Sequence, residues 1–306
     1  MPEPNHTPQR LVKPAPGRFP WKPPLFAAAA VVCLCLIMAP SMGRTATSEV
    51  PGPQPAPAPE LLAATPAPKP APTPTPSPTP APEPTPQPYD YAQPVPAGEA
   101  AELSWFDDAV FIGASRTDGL RLYSGIQGAD FLCYKGVTVF NVMDRERQYI
   151  KLDGKKYSFL DALSLKQYAK VYISLGINEL GYYDDEGFRD EYAAFLDAVR
   201  EIQPGAQIYI QRLIPVNPEK CKSSKQADWL TNERIALYNG IISQLAEDKQ
   251  VYLLDPGEAM VDDQGEMPYE ATVDGLHFKR EWYKKWLDYL LAHTVALEGV
   301  NLDDTQ

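Results

Sequence analysis

The chain has 306 residues and a formal net charge of −12, and 33 of its residues are proline. So acidic a balance argues against nucleic acid or anionic lipid as the partner, because both are met with basic surfaces. Three histidines and four cysteines, with none of the clustered spacings that hold zinc, argue against a Cys/His metal site, and no cofactor is implied.

Residues 1–24 carry Arg10, Lys13, Arg18 and Lys22 against Glu3 alone. An apolar run follows from Leu25, and with it 25–43 approaches the length of about 17 residues that a bilayer span needs. Positive flank first and apolar run second keep the N-terminus cytoplasmic. No Ala-x-Ala cleavage site follows, so 25–43 is read as a retained signal anchor, with a cleaved signal as the rival reading. The expected placement is a single-pass membrane protein whose C-terminal part is extracytoplasmic.

Residues 44–100 form a Pro-rich linker, with 19 prolines between Pro51 and Pro96. Each proline lacks an N–H donor, so the stretch favours extended polyproline II and reaches on the order of 140 Å at about 3.1 Å per residue. A stalk fits this best, and a ligand for Pro-rich-binding modules is the alternative. Residues 101–306 are then one folded domain, large enough for a substantial core.

Within that domain, 109–112 is a buried-type strand ending at Gly113. Strands are expected at 131–134 and 138–142. A hairpin is expected from 149–152 and 156–159, turned at Asp153-Gly154. Residues 171–175, 207–211 and 251–254 read as further buried strands. Helices are expected over 188–202, 229–247 and 281–297. Strands alternating with helices indicate an α/β fold, a three-layer α/β/α sandwich with a mainly parallel, flavodoxin-like sheet. Ligands of such folds collect beyond the carboxyl ends of the strands.

Three polar motifs fall there. Gly113-Ala114-Ser115 places a serine at a strand-to-helix turn, where it serves as an ordinary cap or as an exposed hydroxyl. Gly176-Ile177-Asn178 offers an amide that can donate to an oxyanion or close an Asx turn. Asp274-Gly-Leu-His277 spaces a carboxylate to hold an imidazole by one ring nitrogen. His293, inside the last helix, reads as a surface or packing residue. Cys133 and Cys221 are the one cysteine pair outside the anchor and make no disulfide framework. Tyr182, Tyr183 and Trp229 fall near the same loops, suited to stacking on sugar or to packing.

In this order the motifs resemble the SGNH hydrolase (GDSL esterase) superfamily over roughly residues 107–296. The resemblance implies Ser115 as nucleophile, His277 as general base and Asp274 as the acid that orients it. It also implies an oxyanion hole from the Ser115 N–H, a glycine N–H and the Asn178 amide. Gly136 is chosen for the glycine, with Gly128 nearby. Two departures stand out: Ala114 where the family has Asp, and Glu179 where it often has Asp. The expected activity is hydrolysis of O-acyl, chiefly O-acetyl, esters of cell-wall or surface carbohydrate. An O-acetyltransferase with the same triad, or an inactive wall-binding domain of the same fold, is the alternative.

Overall fold

The computed structural model describes residues 89–296. The basic segment, the anchor and the linker up to residue 88 lie outside the described residues. Elements run in the order β1 (Ala109–Gly113), α1 (Ser115–Tyr123), β2 (Asp130–Cys133), α2 (Val139–Val142), β3 (Ile150–Leu152), β4 (Lys155–Tyr157), α3 (Phe159–Leu163) and β5 (Lys170–Ser174). They continue with α4 (Asp185–Ile202), β6 (Gln207–Gln211), α5 (Pro218–Ser223), α6 (Asn232–Lys249), β7 (Tyr252–Leu254), α7 (Gly257–Met260) and α8 (Arg280–Ala292).

β1, β2, β5, β6 and β7 form one parallel sheet in the order β2-β1-β5-β6-β7. Helices cover both faces, giving the expected three layers. Alternation along each strand sorts the core in two. Val110, Ile112, Val171, Ile173, Ile208 and Ile210 pack with residues of α4 and α6. Ala109, Phe111, Tyr172, Tyr209 and Leu254 pack with residues of α1 and α8 on the other face.

On that second face each strand contributes one aromatic residue, and the five rings form a ladder. Phe131, Phe111, Tyr172, Tyr209 and Tyr252 follow one another with centroid separations of 4.8, 4.7, 4.6 and 5.0 Å. Those spacings match the roughly 4.7–4.9 Å between neighbouring strands, so parallel in-register pairing is what brings the rings into contact. Tyr172 also receives the Trp105 indole N–H at 2.9 Å.

Several expected boundaries change. Residues 138–142 were expected as a strand from their β-branched run, but α2 is a helical turn. The Asn141 side chain accepts the Thr138 N–H, and the Glu179 carboxyl accepts the N–H of Val139, so side-chain acceptors override strand propensity. The last helix stops at Ala292, where His293 turns its Nδ1 to the Tyr289 carbonyl, rather than reaching 297. α5 was not expected from the sequence.

The fold also begins ahead of residue 101. Tyr89 and Tyr91 pack on Tyr252, and the Val95 N–H bonds the Leu253 carbonyl beside β7, covering that edge of the sheet. The end of the expected linker is thereby part of the folded unit. The small hairpin is confirmed as β3 and β4, with Asp153 and Gly154 both at positive φ as its turn requires.

The ladder makes a stability prediction. Tyr172→Ala should cost about 3–5 kcal/mol through loss of ring contacts and a cavity, and Tyr172→Phe about 1 kcal/mol through the stranded Trp105 donor. Urea midpoints of both variants test this, and equal effects would mean that the hydroxyl, rather than the ring, carries the contribution.

Candidate active site

β1 ends at Gly113, which pairs with Cys133 of β2 on one side and Ser174 of β5 on the other. Three loops therefore leave the sheet at one level. Ser115 follows β1 as the first residue of α1, so its own N–H is among those that a helix start leaves without an intrahelical partner.

The Ser115 hydroxyl lies 2.9 Å from His277 Nε2, and His277 Nδ1 lies 2.7 Å from Asp274 Oδ2. Residues 162 positions apart in sequence thus meet in one hydrogen-bonded line. The second carboxylate oxygen of Asp274 accepts the N–H groups of Leu276 and His277, at 2.9 and 2.7 Å. Burial alone would raise the Asp274 pKa, but the bonds from the His277 ring and from these two N–H groups outweigh it and hold the carboxyl below the usual range. Asp274 therefore stays ionised at neutral pH.

The turn that brings Asp274 under His277 depends on Gly275. Its φ is +87°, and a Cβ there would also collide with the backbone and Sγ of Cys221. Thr272, fully buried, accepts the Gly275 N–H and donates to the His277 carbonyl at 2.6 Å, closing the loop from behind. Arg116 ties the loop to α1. It is 5% exposed, its Nε and Nη1 donate to the carbonyls of Leu276 and Ile214, and its guanidinium lies over Phe278. Burial lowers its pKa to about 10, which leaves it charged at neutral pH.

On the other side of Ser115, Tyr134 continues β2, with its N–H bonding the Gly113 carbonyl. A turn then runs from Tyr134 to Val137, closed by the Val137 N–H on the Tyr134 carbonyl. Gly136 occupies its third position with φ +79°, as a type II turn demands, and the turn's own bond leaves the Gly136 N–H outside it. Asn178 donates one amide hydrogen to the Val137 carbonyl at 2.9 Å, which leaves its second available. Gly128 precedes β2, at the opposite end of that strand from Gly136. It packs against Asp107, so it does not share the turn held by Asn178.

Glu179 makes the neighbouring tie, accepting the Val139 N–H at 2.7 Å from a fully buried position. Desolvation raises its pKa to about 8, against the opposing pull of backbone N–H groups from Val139, Glu179, Asn178 and Gly176. The roles of Arg116, Thr272 and Glu179 were not read from the sequence, since each depends on partners brought near by folding.

Each of the aromatic candidates has a packing partner. The Trp229 indole lies on Gly181, Tyr182 meets Phe140 edge to face, and Tyr183 sits under the Arg234 guanidinium. His293 is buried and stacked on Tyr289. Cys133 and Cys221 are separate thiols. Among the described residues no three His, Cys, Asp or Glu side chains converge as a metal site.

The sequence profile of the GDSL-like lipase/acylhydrolase family matches residues 113–285. Over 107 residues the chain is 28% identical to the isoamyl acetate-hydrolyzing esterase of Saccharomyces cerevisiae (strain ATCC 204508 / S288c), a stretch that is 32% of this chain and 45% of that protein. The chain thus spans less than half the length of that curated relative. A GDSL-like lipase from Bacteroides thetaiotaomicron is similar in structure, with TM-score 0.43 and 16% identity over 61% of this chain and 85% of the other. An acetyl xylan esterase is similar to the same degree, with TM-score 0.43 and 16% identity over 61% and 99% of the two chains.

Glu179 yields a pH test. A folded carboxyl with a raised pKa keeps a proton that the unfolded chain releases, so stability falls as pH rises from about 4.3, the unfolded value, to about 8. Glu179→Gln keeps an acceptor for the Val139 N–H and removes this ionisation. Its urea midpoint should therefore gain on wild type between about pH 5 and about pH 9. A constant difference across that range would mean that Glu179 is already ionised at the lower pH.

Proposed function

The chain belongs to the GDSL-like lipase/acylhydrolase family, and from that premise we propose that it is a serine ester hydrolase acting on O-acetyl esters of surface or cell-wall carbohydrate. The observation that carries the reaction type is the continuous line from Ser115 through His277 to Asp274, with contacts of 2.9 and 2.7 Å.

In the proposed reaction the Ser115 hydroxyl oxygen attacks the acyl carbonyl and its proton passes to His277 Nε2. Asp274, ionised and bonded to Nδ1, fixes the ring and stabilises the imidazolium. The carbonyl oxygen, now an oxyanion, takes the N–H of Ser115, the N–H of Gly136 and the free amide hydrogen of Asn178. Collapse breaks the ester C–O bond, and Nε2 returns its proton to the departing sugar oxygen. Water then attacks the acyl-serine, with His277 again taking the proton, and acetate leaves as Ser115 is restored.

An acetyl group is supported by the yeast relative, which is named for hydrolysing an acetate ester. Carbohydrate as the alcohol is supported by the order of the N-terminal segments. A basic flank, an apolar run over 25–43 and a Pro-rich stretch would hold the domain outside the membrane, where acylated glycans lie. All of these segments but the end of the Pro-rich stretch precede the described residues; within the latter no helix is long and apolar enough to cross a membrane.

Purified full-length protein should release acetate from an aryl acetate. Ser115→Ala and His277→Ala should each lower kcat by roughly 10⁴-fold or more, and Asn178→Ala by about 10²–10³-fold. Wild-type turnover no faster than that of Ser115→Ala, together with failure of a serine-directed phosphonate to label the protein, would favour the binding-domain alternative. A normal rate for Asn178→Ala would remove only that residue from the oxyanion hole.

A further inference from the structure

We propose that Tyr134, backed by Tyr149, is the platform on which the sugar ring of the ester substrate stacks. This assignment rests on the esterase reading above and specifies where its alcohol part binds.

The two rings are stacked with centroids 4.0 Å apart and an interplanar angle of 20°. Tyr149 in turn meets Phe159 edge to face and packs on the core beneath the sheet, so the pair is anchored from below. Tyr134 is 43% exposed, so the ring that Tyr149 backs also meets solvent. Folding has fixed its orientation, so a ligand stacking on it does so at little cost in side-chain entropy.

Its position links it to the reacting groups. The Tyr134 N–H bonds the Gly113 carbonyl, two residues before Ser115, and the Tyr134 carbonyl holds the turn that carries Gly136 and ends at the Asn178 tie. The residue that carries the ring is therefore part of the same turn as the proposed Gly136 donor.

The surroundings favour a sugar ring over an acyl chain. An acyl chain requires a continuous apolar trough, whereas Tyr134 stands beside exposed Lys135, and Arg147 donates to the Tyr149 hydroxyl while paired with Asp144. One aromatic face within a polar rim matches a pyranose, whose ring C–H groups point to one side and whose hydroxyls point outward. Nucleobases also stack on tyrosine, but a net charge of −12 opposes a polyphosphate partner.

The test compares kcat/KM for a monoacetylated methyl pyranoside with that for ethyl acetate, which has no ring, using full-length wild type, Tyr134→Ala and Tyr134→Phe. The ratio of pyranoside to ethyl ester should fall about 3- to 10-fold in Tyr134→Ala and be largely kept in Tyr134→Phe, which retains the ring. An unchanged ratio in the Ala variant, or an equal fall in the Phe variant, overturns the platform. Wild-type hydrolysis of ethyl acetate without hydrolysis of the pyranoside ester also overturns it, while leaving the esterase reading intact. Hydrolysis of neither ester overturns the platform, and the esterase reading falls with it where the aryl acetate is not turned over and the phosphonate does not label.

Discussion

The register of the five parallel strands is the constraint on which everything else in this domain depends. Its visible expression is the ladder of Phe131, Phe111, Tyr172, Tyr209 and Tyr252, one ring from each strand. A slip of one residue would send each ring to the opposite face of the sheet, where residues of α4 and α6 already fill the space. The same register pairs Gly113 with Cys133 and Ser174, so the loops bearing Ser115, Gly136 and Asn178 all begin at one height above the sheet.

From that height the loops are tied to one another mainly through backbone groups. Asn178 holds the Val137 carbonyl, Glu179 holds the Val139 N–H, and Arg116 holds the Leu276 carbonyl. Each net hydrogen bond is worth only about 0.5–1.5 kcal/mol. Their larger effect is positional, because an oxyanion hole works by having its donors in place before charge develops. Glu179 shows the cost of this arrangement: its carboxyl is desolvated enough to hold a proton near neutrality while it accepts the Val139 N–H.

The strands were legible in the sequence because a parallel strand buried on both faces leaves a short apolar run, as at 109–112 and 171–175. Asp274 and His277 were legible because a spacing of three lets one loop form their contact. The turn of α2 was not, since Thr138, Val139 and Val142 favour strands and the acceptor that settles the matter, Glu179, is 40 residues away from Val139. Arg116 was passed over for the same reason: its two carbonyl partners lie 98 and 160 residues along the chain. The start of the fold was misplaced because proline content masks Tyr89, Tyr91 and Val95, whose packing on β7 is a tertiary contact.

Ala114 is the clearest departure from the family pattern, and its surroundings bear on what the missing carboxylate costs. The residue is 3% exposed and packs within the apolar cluster that includes Ile112, Leu132 and Ile177. An aspartate in that setting would need polar partners to offset its desolvation. The line from Ser115 to His277 is closed without it, and the charge that an imidazolium requires is present in Asp274, whose pKa is held down by three hydrogen bonds from its own loop. Substitution at 114 therefore changes the packing beneath the serine while leaving the proposed proton path whole, and the fold accommodates alanine by treating the position as core.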